Sequence, residues 1–86
     1  MSETNSILQR KEYGRIRLKL KEQLDTRGMT RNHLARRIDA RFEVVNKWYN
    51  DQVEKIDTDI LARICFVLDC RVEDIIEYTN SLVNRG

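Results

Sequence analysis

From Ile16 onward the apolar residues Ile16, Leu20 and Leu24 recur at four-residue spacing, with Lys19, Lys21, Glu22 and Gln23 between them. That period predicts an amphipathic helix, and Gly28 follows as its stop. The alternation Ile16, Leu18, Leu20 also fits an extended first turn, but the four-residue period runs longer and favours a helix from Ile16. Thr30 carries a hydroxyl suited to capping a second helix that begins at Arg31 and turns Leu34 and Ala35 inward. Ile38-Asp39-Ala40-Arg41 interrupts the pattern, and Val44, Val45 and Trp48 resume it in a third short helix, from about Phe42 to Tyr49. Asn50-Asp51-Gln52 reads as a loop, because these side chains offer the backbone local hydrogen bonds that compete with a helix. Asp57 or Thr58 caps a fourth helix with the stripe Ile60, Leu61, Ile64, Cys65 and Leu68. A last helix is expected from Val72, with Val72, Ile75, Ile76, Thr79, Leu82 and Val83 along one face.

Composition narrows the class. With no proline and only three glycines, the chain lacks the punctuation of a turn-rich β fold, so the expectation is all-α, with five helices. A chain of 86 residues is one compact unit with little room for a deep substrate cavity beside its core, which points to binding and away from enzymatic chemistry. No apolar run approaches membrane-spanning length and Met1 to Asn5 is polar, so neither a membrane partner nor an export segment is expected and the protein reads as cytoplasmic. Cys65 and Cys70 match no paired zinc spacing and are expected as reduced, buried thiols. Residues 1–15 read as a leader carrying Arg10, Lys11 and Arg15: a short helix capped by Ser6, a basic arm reaching a phosphate backbone, or a disordered terminus.

Charge divides unevenly along the chain. Residues 10–55 hold eight Arg and five Lys against seven acids, a net +6, whereas residues 56–86 carry three Arg against six acids, a net −3. Such polarity suits a protein that lays one face on a polyanion.

Arg31 to Asn50 meets the demands of two short helices crossing around a tight turn: small Ala35 at the crossing, Ile38 and Ala40 flanking the turn, and Leu34, Val45 and Trp48 between the helices. With Thr30, Leu34-Ala35-Arg36, Lys47-Trp48-Tyr49-Asn50, Leu61-Ala62-Arg63-Ile64-Cys65 and Glu73-Asp74-Ile75-Ile76-Glu77-Tyr78, the chain resembles the lambda-repressor-like, Cro-type helix-turn-helix regulators over residues 16–78. Residues 79–86 then form a helical extension. Two positions depart from the family pattern. Asp39 stands where the turn normally carries Gly in a left-handed conformation, and Arg41 stands where Ser or Thr would cap the third helix.

The resemblance implies a bacterial or phage transcriptional regulator that binds double-stranded DNA with its third helix in the major groove. Arg41, Phe42, Glu43, Asn46 and Lys47 are then the candidate base readers, and Thr30, Arg31, Arg36 and Asn50 the candidate phosphate contacts. Two copies on adjacent half-sites are implied, with the stripe Val72, Ile75, Ile76, Thr79, Leu82, Val83 as candidate homodimer surface; packing onto helices one and four competes for it. The rival reading is an antitoxin-like or phage-adaptor interaction module, favoured by the apolar Phe42 beside the acidic Glu43. No catalytic residue, metal site or cofactor is expected. His33 is the sole histidine, Asp57 and Asp59 suit a helix N-terminus, and Trp48 is spaced as core.

Overall fold

A computed structural model describes residues 13–80. The order is β1 (Arg15–Leu18), α1 (Leu20–Arg27), α2 (Arg31–Arg37), α3 (Phe42–Tyr49), α4 (Thr58–Leu68), α5 (Val72–Ile75) and β2 (Ile76–Thr79). Five helices thus carry a small antiparallel sheet formed by the two ends of the described chain. The all-α expectation holds for the bundle and misses the sheet.

The helix boundaries follow from local chemistry. Gly28 ends α1 in the left-handed conformation at φ 65°, which lets the Met29 N–H return to the Leu24 carbonyl at 3.0 Å. The Thr30 hydroxyl accepts from the His33 N–H at 3.0 Å and starts α2. Asp57 caps α4, its carboxylate accepting from the N–H groups of Asp59 and Ile60. At the far end of α4, Asp69 takes a left-handed conformation at φ 52° that the sequence reading did not foresee.

Two expected helices prove to be partly strand. Arg15–Leu18 does not open α1; it pairs with Ile76–Thr79 in the register Arg15↔Thr79, Ile16↔Tyr78, Arg17↔Glu77 and Leu18↔Ile76. Leu18 enters the core while Ile16, one pair further out on the same face, stays 47% exposed. The expected terminal helix breaks after Ile75, where the backbone turns extended and the Lys19 N–H donates to the Ile75 carbonyl at 2.7 Å. The stripe proposed as a dimer surface therefore is not a helical face. Val72 is exposed, Ile75 is fully buried, Ile76 and Thr79 lie in β2, and Leu82 and Val83 fall outside the described residues. The leader expected over residues 1–15 also lies outside them, except Tyr13 to Arg15. At Gly14, with φ 85°, a side chain would collide with the Thr79 carbonyl, so this close approach of the two chain ends needs glycine.

The core lies where all elements meet, around Leu20, Leu24, Leu34, Val45, Ile64 and Ile75, each fully buried. Asp51 ties the sheet to it. Just past α3, in a left-handed conformation at φ 58°, its carboxylate accepts from the Leu18 N–H at 2.9 Å and from the Arg15 guanidinium at 2.7 Å. Partial burial opposes ionisation of Asp51, but Arg15 and the Leu18 N–H outweigh it and hold the carboxyl below its ordinary value. A carboxylate depressed in the folded state stabilises fully above its unfolded pKa and loses that contribution as pH falls through the folded one.

Asp51→Ala orphans a strand N–H and should cost about 1–3 kcal/mol in urea denaturation at neutral pH. Asp51→Asn keeps an acceptor and tolerates the left-handed backbone, so its cost should stay below about 1 kcal/mol, with a flatter loss of stability in acid.

Candidate nucleic-acid interface

Buried Leu34 and Ala35 on α2 meet buried Val45 and Trp48 on α3, and the small Ala35 permits the close crossing. The turn between them is fixed twice. Asp39 adopts φ 57°, the left-handed conformation expected of it, and the Ala40 N–H reaches back to the Ala35 carbonyl at 2.9 Å. From α4, the Arg63 guanidinium donates to the Ile38 carbonyl at 2.9 Å. With Val45 and Trp48 turned inward, the helical period turns residues 42, 43, 46 and 47 outward.

Arg41, Phe42, Glu43 and Lys47 are accordingly exposed, and Asn46 is half-buried. Helix α3 begins without a side-chain cap: Arg41 has the extended backbone of a capping residue, at φ −71° and ψ 150°, but offers no acceptor. Its side chain is free for other work. Among the phosphate candidates, the Thr30 oxygen already accepts from His33, Arg36 is exposed beside Arg37 at the end of α2, and Asn50 is exposed at the end of α3.

Arg31 is not a loose surface cation. Its guanidinium lies 4.7 Å from the ring centre of Tyr49 and 5.7 Å from that of Phe42, and donates to Asn46 Oδ1 at 2.7 Å. Asn50 Nδ2 donates to the same oxygen at 3.2 Å. Tyr49 in turn donates to Asp25 at 3.0 Å, and Lys21 pairs with Asp25 at 2.9 Å. The Lys21 hydrogen bond, then that of Tyr49, holds the Asp25 carboxyl below its ordinary value. Tyr49, Lys21 and Asp25 are absent from the expected site residues. Tyr49 had a legible signal, since Phe42, Asn46 and Tyr49 follow one another at spacings of four and three residues.

The cations sort into two groups. Arg15, Arg17, Lys19, Lys21, Arg63 and Arg71 each form an ion pair with an acid. Arg27, Arg31, Arg36, Arg37, Arg41, Lys47 and Lys55 pair with no acid among the described residues, and all of these but Arg27 and Lys55 lie on the two crossing helices or the turn between them. Glu43 is the one acid on α3.

His33 is exposed, and it lines neither the groove of about 660 Å³ between α3 and the following loop nor the one beside Phe66. No group of three His, Cys, Asp or Glu side chains able to hold a metal occurs among the described residues, and no helix there is long and apolar enough to cross a membrane. Cys65 and Cys70 are free and half-buried, not fully buried as expected; burial, then the neighbouring Cys65, pushes the Cys70 thiol up to about 11.

Residues 19–81 match the family model of the Cro/C1-type HTH DNA-binding domain. No curated protein matches the chain.

The uncapped start of α3 yields a stability test. Arg41→Ser supplies the missing acceptor on a backbone already shaped for it and should stabilise by about 1 kcal/mol, read as a thermal midpoint raised by roughly 4–8 °C. An unchanged or lowered midpoint would mean that the arginine side chain itself supports the fold.

Proposed function

The chain belongs to the Cro/C1-type HTH DNA-binding domain family, and from that premise we propose that it regulates transcription by laying α3 in the major groove of duplex DNA. The observation that carries this reading is the coincidence of an outward α3 with a cluster of cations that form no ion pair among the described residues, Arg31, Arg36, Arg37, Arg41 and Lys47. Phosphate neutralisation by these groups supplies most of the affinity, whatever the sequence. Choice of sequence falls to Arg41, Phe42, Glu43, Asn46 and Lys47. Glu43 accepts from a cytosine or adenine amino group, Phe42 touches a thymine methyl, and Lys47 donates to a purine edge or a phosphate. Thr30 and Asn50 flank the groove as phosphate contacts. One such helix spans only a few base pairs, so the functional unit is two copies on half-sites about one helical turn apart.

The exposed Phe42 that favours a protein partner has a second account. It lies beneath Arg31, which partly satisfies its face, so its exposure does not require an apolar partner.

Binding to random duplex should weaken steeply as salt rises. Removing one phosphate contact lowers the slope of log K against log salt by about one, so Arg31→Ala with Lys47→Ala should lower it by about two. A chain that binds no duplex even at low salt is an interaction module instead.

A further inference from the structure

Asparagine in a major groove usually has two faces, a carbonyl that accepts and an amide that donates, and using both at once makes it a reader of adenine. Asn46 does not have both. Its Oδ1 receives Arg31 Nη1 at 2.7 Å and Asn50 Nδ2 at 3.2 Å, which occupies the two lone pairs of a carbonyl oxygen. The identity of that atom follows from chemistry: a guanidinium has donors and no acceptor, so the atom facing Arg31 is oxygen and not nitrogen. Neither N–H of the Asn46 amide donates to a described residue. Arg31 is itself held, between the rings of Tyr49 and Phe42, and it spends only one of its five donors on Asn46, leaving others for a phosphate.

We infer that Asn46 reads the groove as a donor only and that Arg31, clamped on Tyr49, is the positioning residue that imposes this polarity; the inference rests on the reading of α3 proposed above. The consequence is a changed base preference. Guanine presents two acceptors, O6 and N7, to the amide, whereas adenine presents one acceptor beside an amino group that faces the amide donor to donor. The preferred edge at the base pair under Asn46 is therefore guanine, and adenine is disfavoured. One turn earlier on the same helix Glu43 is an acceptor only, so α3 offers the groove two neighbouring groups of opposite and fixed hydrogen-bonding sense.

Selection of bound duplexes from a random pool tests this, because a base preference is a ratio that loss of a phosphate contact leaves unmoved. Asn46→Ala identifies the pair that Asn46 reads, as the position whose preference it flattens. At that pair the wild-type chain should enrich guanine over adenine. The double variant Arg31→Met with Asn50→Ala, checked for folding by circular dichroism, frees Oδ1 and should shift the adenine-to-guanine ratio by about fivefold or more towards adenine. Asn46→Asp, which keeps both clamping bonds and removes the donor, should abolish the guanine preference. Enrichment of adenine by the wild-type chain at that pair would mean that Arg31 leaves Asn46 when DNA arrives, and it overturns the inference. So does an unchanged ratio in the double variant, a guanine preference that survives Asn46→Asp, or an Asn46→Ala variant that flattens no position. Each of these leaves the reading of α3 standing, whereas a wild-type chain that retains no duplex at low salt removes that reading as well.

Discussion

The packing of α3 on α2 is the constraint from which the surface chemistry follows. An eight-residue helix that buries Val45 and Trp48 has no freedom left in its rotation, and the residues at 42, 43, 46 and 47 face outward as a consequence. The contact is possible because Ala35 is small and because the chain reverses between the helices through the left-handed Asp39. Asp at φ 57° costs more than Gly would, and the bond from Arg63 to the Ile38 carbonyl helps hold the turn in that conformation. A long residue at 35 would separate the two helices and displace the outward residues together with Arg31.

The sheet acts on the same helix from its other end. Asp51 follows α3 in a left-handed conformation and accepts from the N–H of Leu18, so the sheet formed by the two ends of the described chain is anchored just past the end of the helix. This is a polar tether, and the apolar continuation of the sheet's inner face, Leu18 and Ile76, packs against the core beside it. Helix α3 is thereby held along its length by Val45 and Trp48 packed on α2, and just beyond its end by the Asp51 carboxylate bonded to β1.

What the sequence made legible was local. Gly28, Thr30, Asp57 and the limits of α3 were readable because a cap or a stop is a matter of one residue and its neighbours within a turn. The sheet was not, since Ile16, Leu18 and Leu20 fit either period over so short a run, and the evidence that decides for a strand is a partner some sixty residues away. The same distance effect hid the terminal strand: Ile76 and Thr79 continue a helical spacing from Val72, yet pairing with Arg15–Leu18 prevails. In the candidate site, the outward residues of α3 were identified, but their states were not. Asn46 was legible as a polar outward residue and Arg31 as a cation. That one occupies the acceptor of the other is a contact across two helices, beyond any periodicity within one.

Charge is distributed unevenly over the described surface. The net +6 over residues 10–55 says nothing of where the charge sits; Arg15, Arg17, Lys19 and Lys21 are matched locally by Asp51, Glu22, Glu77 and Asp25, so the excess lies elsewhere. Exposed pairs of this kind contribute little to stability, but they cancel locally as seen by a distant polyanion. Of the cations without an ion pair among the described residues, Arg31, Arg36, Arg37, Arg41 and Lys47 lie on the two crossing helices or the turn between them, and only Arg27 and Lys55 lie elsewhere. Pairing elsewhere thus concentrates the positive excess around the two crossing helices, where Glu43 on α3 and Asp39 in the turn, neither in an ion pair among the described residues, subtract from it.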